Sequence, residues 1–453
     1  MARRPGPLDP ARNETIMRSP TDDQSSPWPA PKVPDASLRG RFTSEVMAGG
    51  AVVERADDEL VGGLRGGARV AVLVALFAVL GFFSVWWLVF AVGLLVSVFL
   101  HELGHFATAR WTGMKATQFF IGFGPRVWSF RRGETEYGIR ALPLGAFVRI
   151  VGMNMMDEVD PAEEGRAYRS KSYPRRLLVI SAGSIMHMVI ALVLLSGVYT
   201  LSGQSVLGDG AEVRATSEGL PAESAGIAVG DVILSVGGVE VVEGTPLGEA
   251  IVSHAPGDSV DVVVDRDGAL VTLPVTLGSF ELVGGPDDVA FLGVSSSPLV
   301  DVVQRSWWSS PVYAASSMVT SVGDSVVGVL RVLNPVNVLS HLSGETDDLS
   351  TRPTTLVGIT SVSDDVGEVA GLAGVLELLA LLNVFVGVFN MFPLLPLDGG
   401  HALVATYERA RERGGRRYHA DVEKLMPLTM AVVTVLLFLF VSGLYLDIVR
   451  PVG

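Results

Sequence analysis

The chain has 453 residues, 49% of them hydrophobic and only 18% charged, with a formal net charge of −14 and no cysteine; its mean hydropathy is +0.43. That balance suits a membrane protein better than a soluble enzyme, and the acidic excess argues against a nucleic-acid partner, which needs clustered Lys and Arg to hold phosphates. Without thiols there are no disulfides and no thiolate metal ligands, so any zinc site must be built from His, Asp and Glu.

Residues 1–68 are rich in Pro, Arg, Ser, Asp and Gly and show no apolar period, which predicts a disordered cytoplasmic tail. Four apolar segments follow, at about 85–110, 177–200, 372–396 and 426–447, each near or above the ~20 residues that a helix needs to cross about 30 Å of hydrocarbon. The first is extended upstream by "RVAVLVALFAVLGFF". The stretch 69–110 therefore reads as one overlong tilted helix, an interfacial helix plus a span, or a tight hairpin of two spans, and an extra N-terminal pass is favoured. Arg126, Arg131, Arg132, Lys171, Arg175 and Arg176 in the 111–176 loop, and "ERARERGGRR" in the 401–425 loop, place both on the cytoplasmic side. The long loop from about 201 to 371 has few basic residues against many carboxylates and reads as external.

At the inner end of the first segment stands "FLHELGHFATAR" (99–110). Ionisable groups at the centre of a bilayer cost of order 2.5 to 3.5 kcal/mol each or more, so their presence calls for a reason. On a helix His101 and His105 project from one face, and Glu102 lies about 100° round the axis beside whatever they hold. Two neutral imidazoles can ligate zinc, with Glu102 as proton acceptor for a water that the metal makes acidic. The competing reading is a pair of buried histidines bonded within a helical bundle. Beyond the helix, "TQFFIGFGPRVWSF" alternates loosely, and Gly122 and Gly124 allow another backbone to approach, so a membrane-associated β-hairpin is expected here, able to offer a strand edge to an unwound substrate. A plain cytoplasmic hairpin is equally compatible with the pattern.

The second segment, taken as a span over 177–200, contains "AGSIMHM", whose His187 is read as a packed polar residue bonded to a neighbour. The external loop then contains "LPAESAGIAVGDVILSVGGVEV" and two short β-rich runs. Alternation with Gly-Asp turns predicts a small β-rich domain over 205–285, and the string resembles bacterial PDZ domains. Residues 286–371 are expected to be an extracytoplasmic linker, with an amphipathic helix over 311–340 lying on the outer surface.

A zinc site needs a third protein ligand. The best candidate is Asp398 in "NMFPLLPLDGGH", within a third span taken over 372–400, where Pro393 and Pro396 remove backbone donors and must break the helix. The alternative for Asp398 is an ordinary N-cap of a helix starting at Gly400, and His401 is a rival ligand that falls past the break. The last span, 426–447, completes a polytopic α-helical membrane protein with an inserted extracytoplasmic β-rich domain.

HELGH in one span, Asn390, Pro393, Leu397, Asp398 and Gly399 in a later one, and a PDZ-like domain between them resemble the site-2 protease family of intramembrane zinc metalloproteases. "GFGPRVWSFRRGETEYGIRALPLGAFVRIVGM" is similar to its actinobacterial members. The resemblance implies that His101, His105 and Asp398 ligate Zn2+, that Glu102 is the general base, and that Asn390 assists near the scissile carbonyl. It further implies single-pass membrane proteins such as anti-sigma factors as substrates, a hairpin that holds the unwound chain, and a PDZ-like domain that either captures a C-terminus or, as favoured here, screens substrates by size. "RPTTLVGI" is similar to the family's Pro-x-Ser-x-x-Gly loop with Thr355 in place of serine, and Ser184 and His187 stand where many relatives have proline and asparagine. A rival from another class is a non-catalytic, PDZ-containing membrane scaffold; a transporter with a buried His/Asp ion site is disfavoured by the absence of internal repeats.

Overall fold

The computed structural model describes residues 63–153, 159–242, 245–284, 286–346, 348–412, 418–420 and 422–451. Residues 1–62, most of the expected tail, lie outside it.

Helix α1 (Gly63–Phe83) and helix α2 (Val85–Trp111) are separated by a single extended residue, Ser84, whose hydroxyl caps α2 by accepting from the Trp86 and Trp87 amides. The two helices double back on each other. Arg69, near the start of α1, donates to the Arg126 carbonyl beyond the far end of α2, while Gly81 at the other end faces Leu88. The stretch thus folds as a helical hairpin, with α1 beginning inside the expected tail boundary and its apolar part, 67–83, shorter than the candidate spans.

Strands β1 (Ala116–Arg132) and β2 (Thr135–Ile150) are long enough to fold over. Residues 116–121 pair with 146–150 and also align with 136–139, and residues 126–132 pair with 135–140. The bend falls at Gly122 and Gly124, with φ +87 and +80. A Cβ on Gly122 would stand 2.6 Å from the Leu142 carbonyl oxygen. The close backbone approach expected at Gly122 is therefore already made by the partner strand. Arg140, 1% exposed, lies against the stacked Phe120 and Phe147 rings and donates to the Gly124 carbonyl.

Helix α3 (Tyr173–Leu201) leads with two residues between into strand β3 (Gln204–Thr216), the first of the β-rich region. It continues through the short helix α4 (Pro221–Ser224), β4 (Val232–Val236), β5 (Val239–Glu240), helix α5 (Leu247–Val252), β6 (Ser259–Arg266), β7 (Ala269–Thr276), β8 (Gly278–Ser279), β9 (Ala290–Phe291) and β10 (Val294–Val303). The main sheet has the order β10-β3-β4-β6-β7, with β5 paired to β4. Val213, Ile233, Val236, Val262 and Val264 are buried in its core, Ile233 and Val236 being brought to the same side by a bulge between residues 233 and 235. The sheet extends past the expected boundary at residue 285, because β10 pairs with β3 from Val303↔Gln204 to Val294↔Thr216.

Helix α6 (Ser310–Val332) and helix α7 (Pro335–Ser343) are joined at a 67° bend and together are apolar enough to count as a broken span. Helix α6, expected on the outer surface, packs on α3, with Ala314 buried among Ala191, Leu195, Val198 and Tyr199, and with Met318 and Val322 in the same cluster. The serines that interrupt its apolar pattern look like a polar face. Ser321 and Ser325 instead donate to the carbonyls four residues back, so they enter an apolar contact with their hydrogens satisfied.

Helix α8 (Leu356–Asn390) is broken at Gly371, where φ is 63 and ψ −152. The segment after the break starts where the third span was expected. Helix α9 (Asp398–Arg411) occupies part of the expected 401–425 loop, and helix α10 (Met426–Val449) ends the fold. Among the described residues four helices, α2, α3, α8 and α10, are long and apolar enough to cross a membrane, or five if α6 and α7 form one span.

Candidate metal centre

The site is assembled from α2, α3 and the turn into α9. α2 and α3 meet where glycines allow backbone contact: a Cβ on Gly104 would stand 2.7 Å from the Ala182 carbonyl oxygen. Opposite, a Cβ on Gly183 would be built into the rings of His101 and His105. The imidazoles thus lie in the groove that the missing Gly183 side chain opens. His105 Nδ1 is 2.7 Å from the Val179 carbonyl on α3 and can only donate to it, which puts the lone pair on Nε2.

The third element arrives by a broken backbone. After Asn390 the chain turns through Met391–Leu397, including a cis peptide before Pro396, and folds so tightly that a Cβ on Gly399 or Gly400 would strike the backbone of Met391, Phe392 or Leu394. α9 begins at Asp398 itself, with Leu397 as N-cap and no side-chain capping bond. Asp398 is therefore not the N-cap of its helix. Its carboxylate points back to the histidines.

Three donor atoms converge. His101 Nε2 and His105 Nε2 are 3.1 Å apart, and Asp398 Oδ2 is 3.6 Å from the first and 3.3 Å from the second. Zinc bonds of about 2.0 to 2.2 Å at tetrahedral angles space their ligand atoms by about 3.3 to 3.6 Å. The triangle fits that ion. Asp398 Oδ2 is buried without a hydrogen-bond donor, and the two histidines are 7% and 4% exposed. Such a gathering of acceptors is unfavourable unless a cation sits among them.

Glu102 Oε1 is 4.0 Å from His101 Nε2, beside the triangle and not part of it. Strand β2 packs against the HELGH helix. His401 lies outside the converging group found among the described residues. Asn390 is the last residue of α8 and is half-buried.

His187 is a packed polar residue, as expected, with Nδ1 2.8 Å from Asn383 Oδ1 and its ring 4.8 Å from that of His101. Asn383 was not foreseen. Its neighbours in sequence are apolar, and a lone amide in such a run carries no signal beyond the cost of burying it. Beside this network, Ser184, Ile185 and Met188 of α3, Val326 of α6, and Met391 and Pro393 after α8 line a cavity of about 550 Å³.

Comparison with known proteins agrees with this geometry. The sequence profile of peptidase family M50 matches residues 89–437. The zinc metalloprotease Rip1 of Mycobacterium tuberculosis is 34% identical over 399 residues, covering 80% of this chain and 97% of the relative. Rip1 of Mycolicibacterium smegmatis is 31% identical over 82% of this chain and 99% of its own length, and the zinc metalloprotease RasP of Shouchella clausii is 26% identical over 70% and 88%. With the profile spanning most of the chain and the mycobacterial relatives matched almost end to end, the chain belongs to peptidase family M50.

Proposed function

We propose that this chain is an intramembrane zinc metalloprotease that cleaves single-pass membrane proteins within or beside their spans, anti-sigma factors being the favoured class, in regulated intramembrane proteolysis at the cell membrane. The observation that carries the reading is the triangle of His101 Nε2 and His105 Nε2, on a helix apolar enough to span a bilayer, with Asp398 Oδ2 from the broken backbone that follows another such helix. These three residues would hold the ion. Bound there, zinc supplies Lewis-acid polarisation of the scissile carbonyl and makes water a nucleophile near neutral pH.

Glu102 is the proton carrier. It accepts a proton as the water oxygen bonds to the carbonyl carbon, and returns it to the amide nitrogen as the C–N bond breaks. Asn390 offers an uncharged donor to the developing oxyanion, a contribution of about 3 to 4 kcal/mol where such a donor is well aimed. The β1/β2 sheet, bent at Gly122 and Gly124, offers its 146–150 edge as a template for a substrate whose own helical hydrogen bonds must be opened. The external β-rich region, read as a PDZ-like domain, excludes substrates whose ectodomains have not been trimmed.

The test is metal content and cleavage measured together. Wild-type protein should bind about one zinc per chain. His105→Ala and Asp398→Ala should lose it, whereas Glu102→Gln should keep it and lose at least about 100-fold in rate on a cleavable single-pass protein. A zinc-free wild type, or an active Glu102→Gln protein, would falsify the reading.

A further inference from the structure

Between the metal triangle and the apolar interior of the bundle lies a chain of polar groups with a defined direction. The Ser97 hydroxyl on α2 donates to the Gly93 carbonyl at 2.9 Å, which leaves its oxygen free to accept from Asn383 Nδ2 on α8 at 3.0 Å. The second hydrogen of Asn383 Nδ2 goes to the Leu379 carbonyl at 2.8 Å. Both amide hydrogens are committed, so Oδ1 is the acceptor that faces His187 Nδ1 on α3. His187 must therefore carry its hydrogen on Nδ1 and, as a neutral ring, its lone pair on Nε2. Ser97, Asn383 and His187 are 1%, 1% and 2% exposed, so this order is not exchanged with solvent.

The two ring ligands of the triangle are not equally supported. His105 donates its far nitrogen to the Val179 carbonyl, the usual device that fixes the tautomer of a metal-bound imidazole. His101 turns Nε2 toward the triangle, and its Nδ1 is buried without a partner. The ring next to it, 4.8 Å away and tilted by 45°, is His187, whose free lone pair is of the kind that Nδ1 lacks.

We propose that His187 and Asn383 are positioning residues for the ligand His101: Asn383 fixes the tautomer of His187, and His187 Nε2 accepts from His101 Nδ1–H when the metal is held. The proposal rests on the metal reading above. It assigns the geometry of one ligand to a relay through all three helices, Ser97–Asn383–His187–His101, where the other ligand uses a single backbone carbonyl.

The experiment uses full-length protein in detergent, stripped of metal and titrated with Zn2+ against a competing chelator, with Co2+ as a spectroscopic substitute. His187→Phe keeps the ring and removes the acceptor; Asn383→Leu leaves His187 free to change tautomer. Each should weaken zinc binding about 10- to 100-fold, as loss of an outer partner of a metal ligand does, and shift the Co2+ absorption bands. A residue that served packing alone would leave those bands in place. Either variant, folded and with wild-type zinc affinity and an unchanged Co2+ spectrum, overturns the relay, and if one fails to fold the other decides. A wild type that takes up no zinc overturns instead the metal reading beneath it.

Discussion

His105 and Gly183 show how much of the site depends on atoms that are absent. α3 passes so close to the imidazole pair that only a hydrogen fits at position 183, and the Val179 carbonyl one turn earlier reaches His105 because of that closeness. Gly183→Ala should therefore cost at least about tenfold in zinc affinity through the displaced rings, although alanine is the better helix former by about 1 kcal/mol. Circular dichroism and zinc titration of the same sample would separate the two effects. His101, Glu102, His105 and Asp398 were legible in the sequence, because ionisable groups in apolar surroundings stand out by their cost. Val179, Gly183 and Asn383 were not. Their roles lie in a backbone carbonyl, a missing side chain and an amide bonded across helices, none of which leaves a pattern in one dimension.

Asp398 reaches the histidines only if α9 is held against α3, and a buried ion pair does this. Arg176 near the start of α3 and Glu408 on α9 are 2.5 Å apart, 8% and 2% exposed, and Glu408 also accepts from the Ala420 amide. Glu408→Ala strands a buried guanidinium, which costs about 3 to 5 kcal/mol. A lower melting temperature is expected, accompanied by zinc loss at temperatures where the helices remain folded. At the far end of α8, Asp447 of α10 accepts from the Thr355 amide, the Thr355 hydroxyl and the Gly358 amide. The hydropathy of the sequence was enough to find the apolar helices α2, α3 and α10 and the second half of α8. It was not enough to place α6, whose serines conceal an apolar contact behind hydroxyls bonded to their own helix, or to reveal that β10 closes the sheet beyond residue 285.

At the scale of the whole molecule, acid acts on the β-rich sheet through a buried ion pair. In the sheet region Asp231 is 2% exposed and bonded twice by Arg266, at 2.7 Å each, and that guanidinium holds its carboxyl below the usual carboxylate range. A carboxylate with a depressed folded value contributes stability above its unfolded pKa of about 3.9, and the contribution is lost as pH falls through the folded value. Arg266→Gln should move the onset of acid unfolding of this region to higher pH. Limited proteolysis of the full-length protein between pH 5 and about 2.5 would record it, with cuts appearing first within 204–303.

The ribbon formed by β3 and β10 gives this arrangement a mechanical character. Its strands continue into α3 and α6 with only a few residues on either side, and Gln304 and Arg305 pin its base to the Thr200 carbonyl and Gln204. A torque applied by cargo on the sheet would thus arrive undamped at the two helices that wall the cavity beside Ser184, as through a crank and not a tether. Flexible Gly-Ser inserts at residues 203 and 304 would turn the crank into a slack line, and an enzyme that selects cargo through it should then cleave untrimmed and trimmed substrates alike.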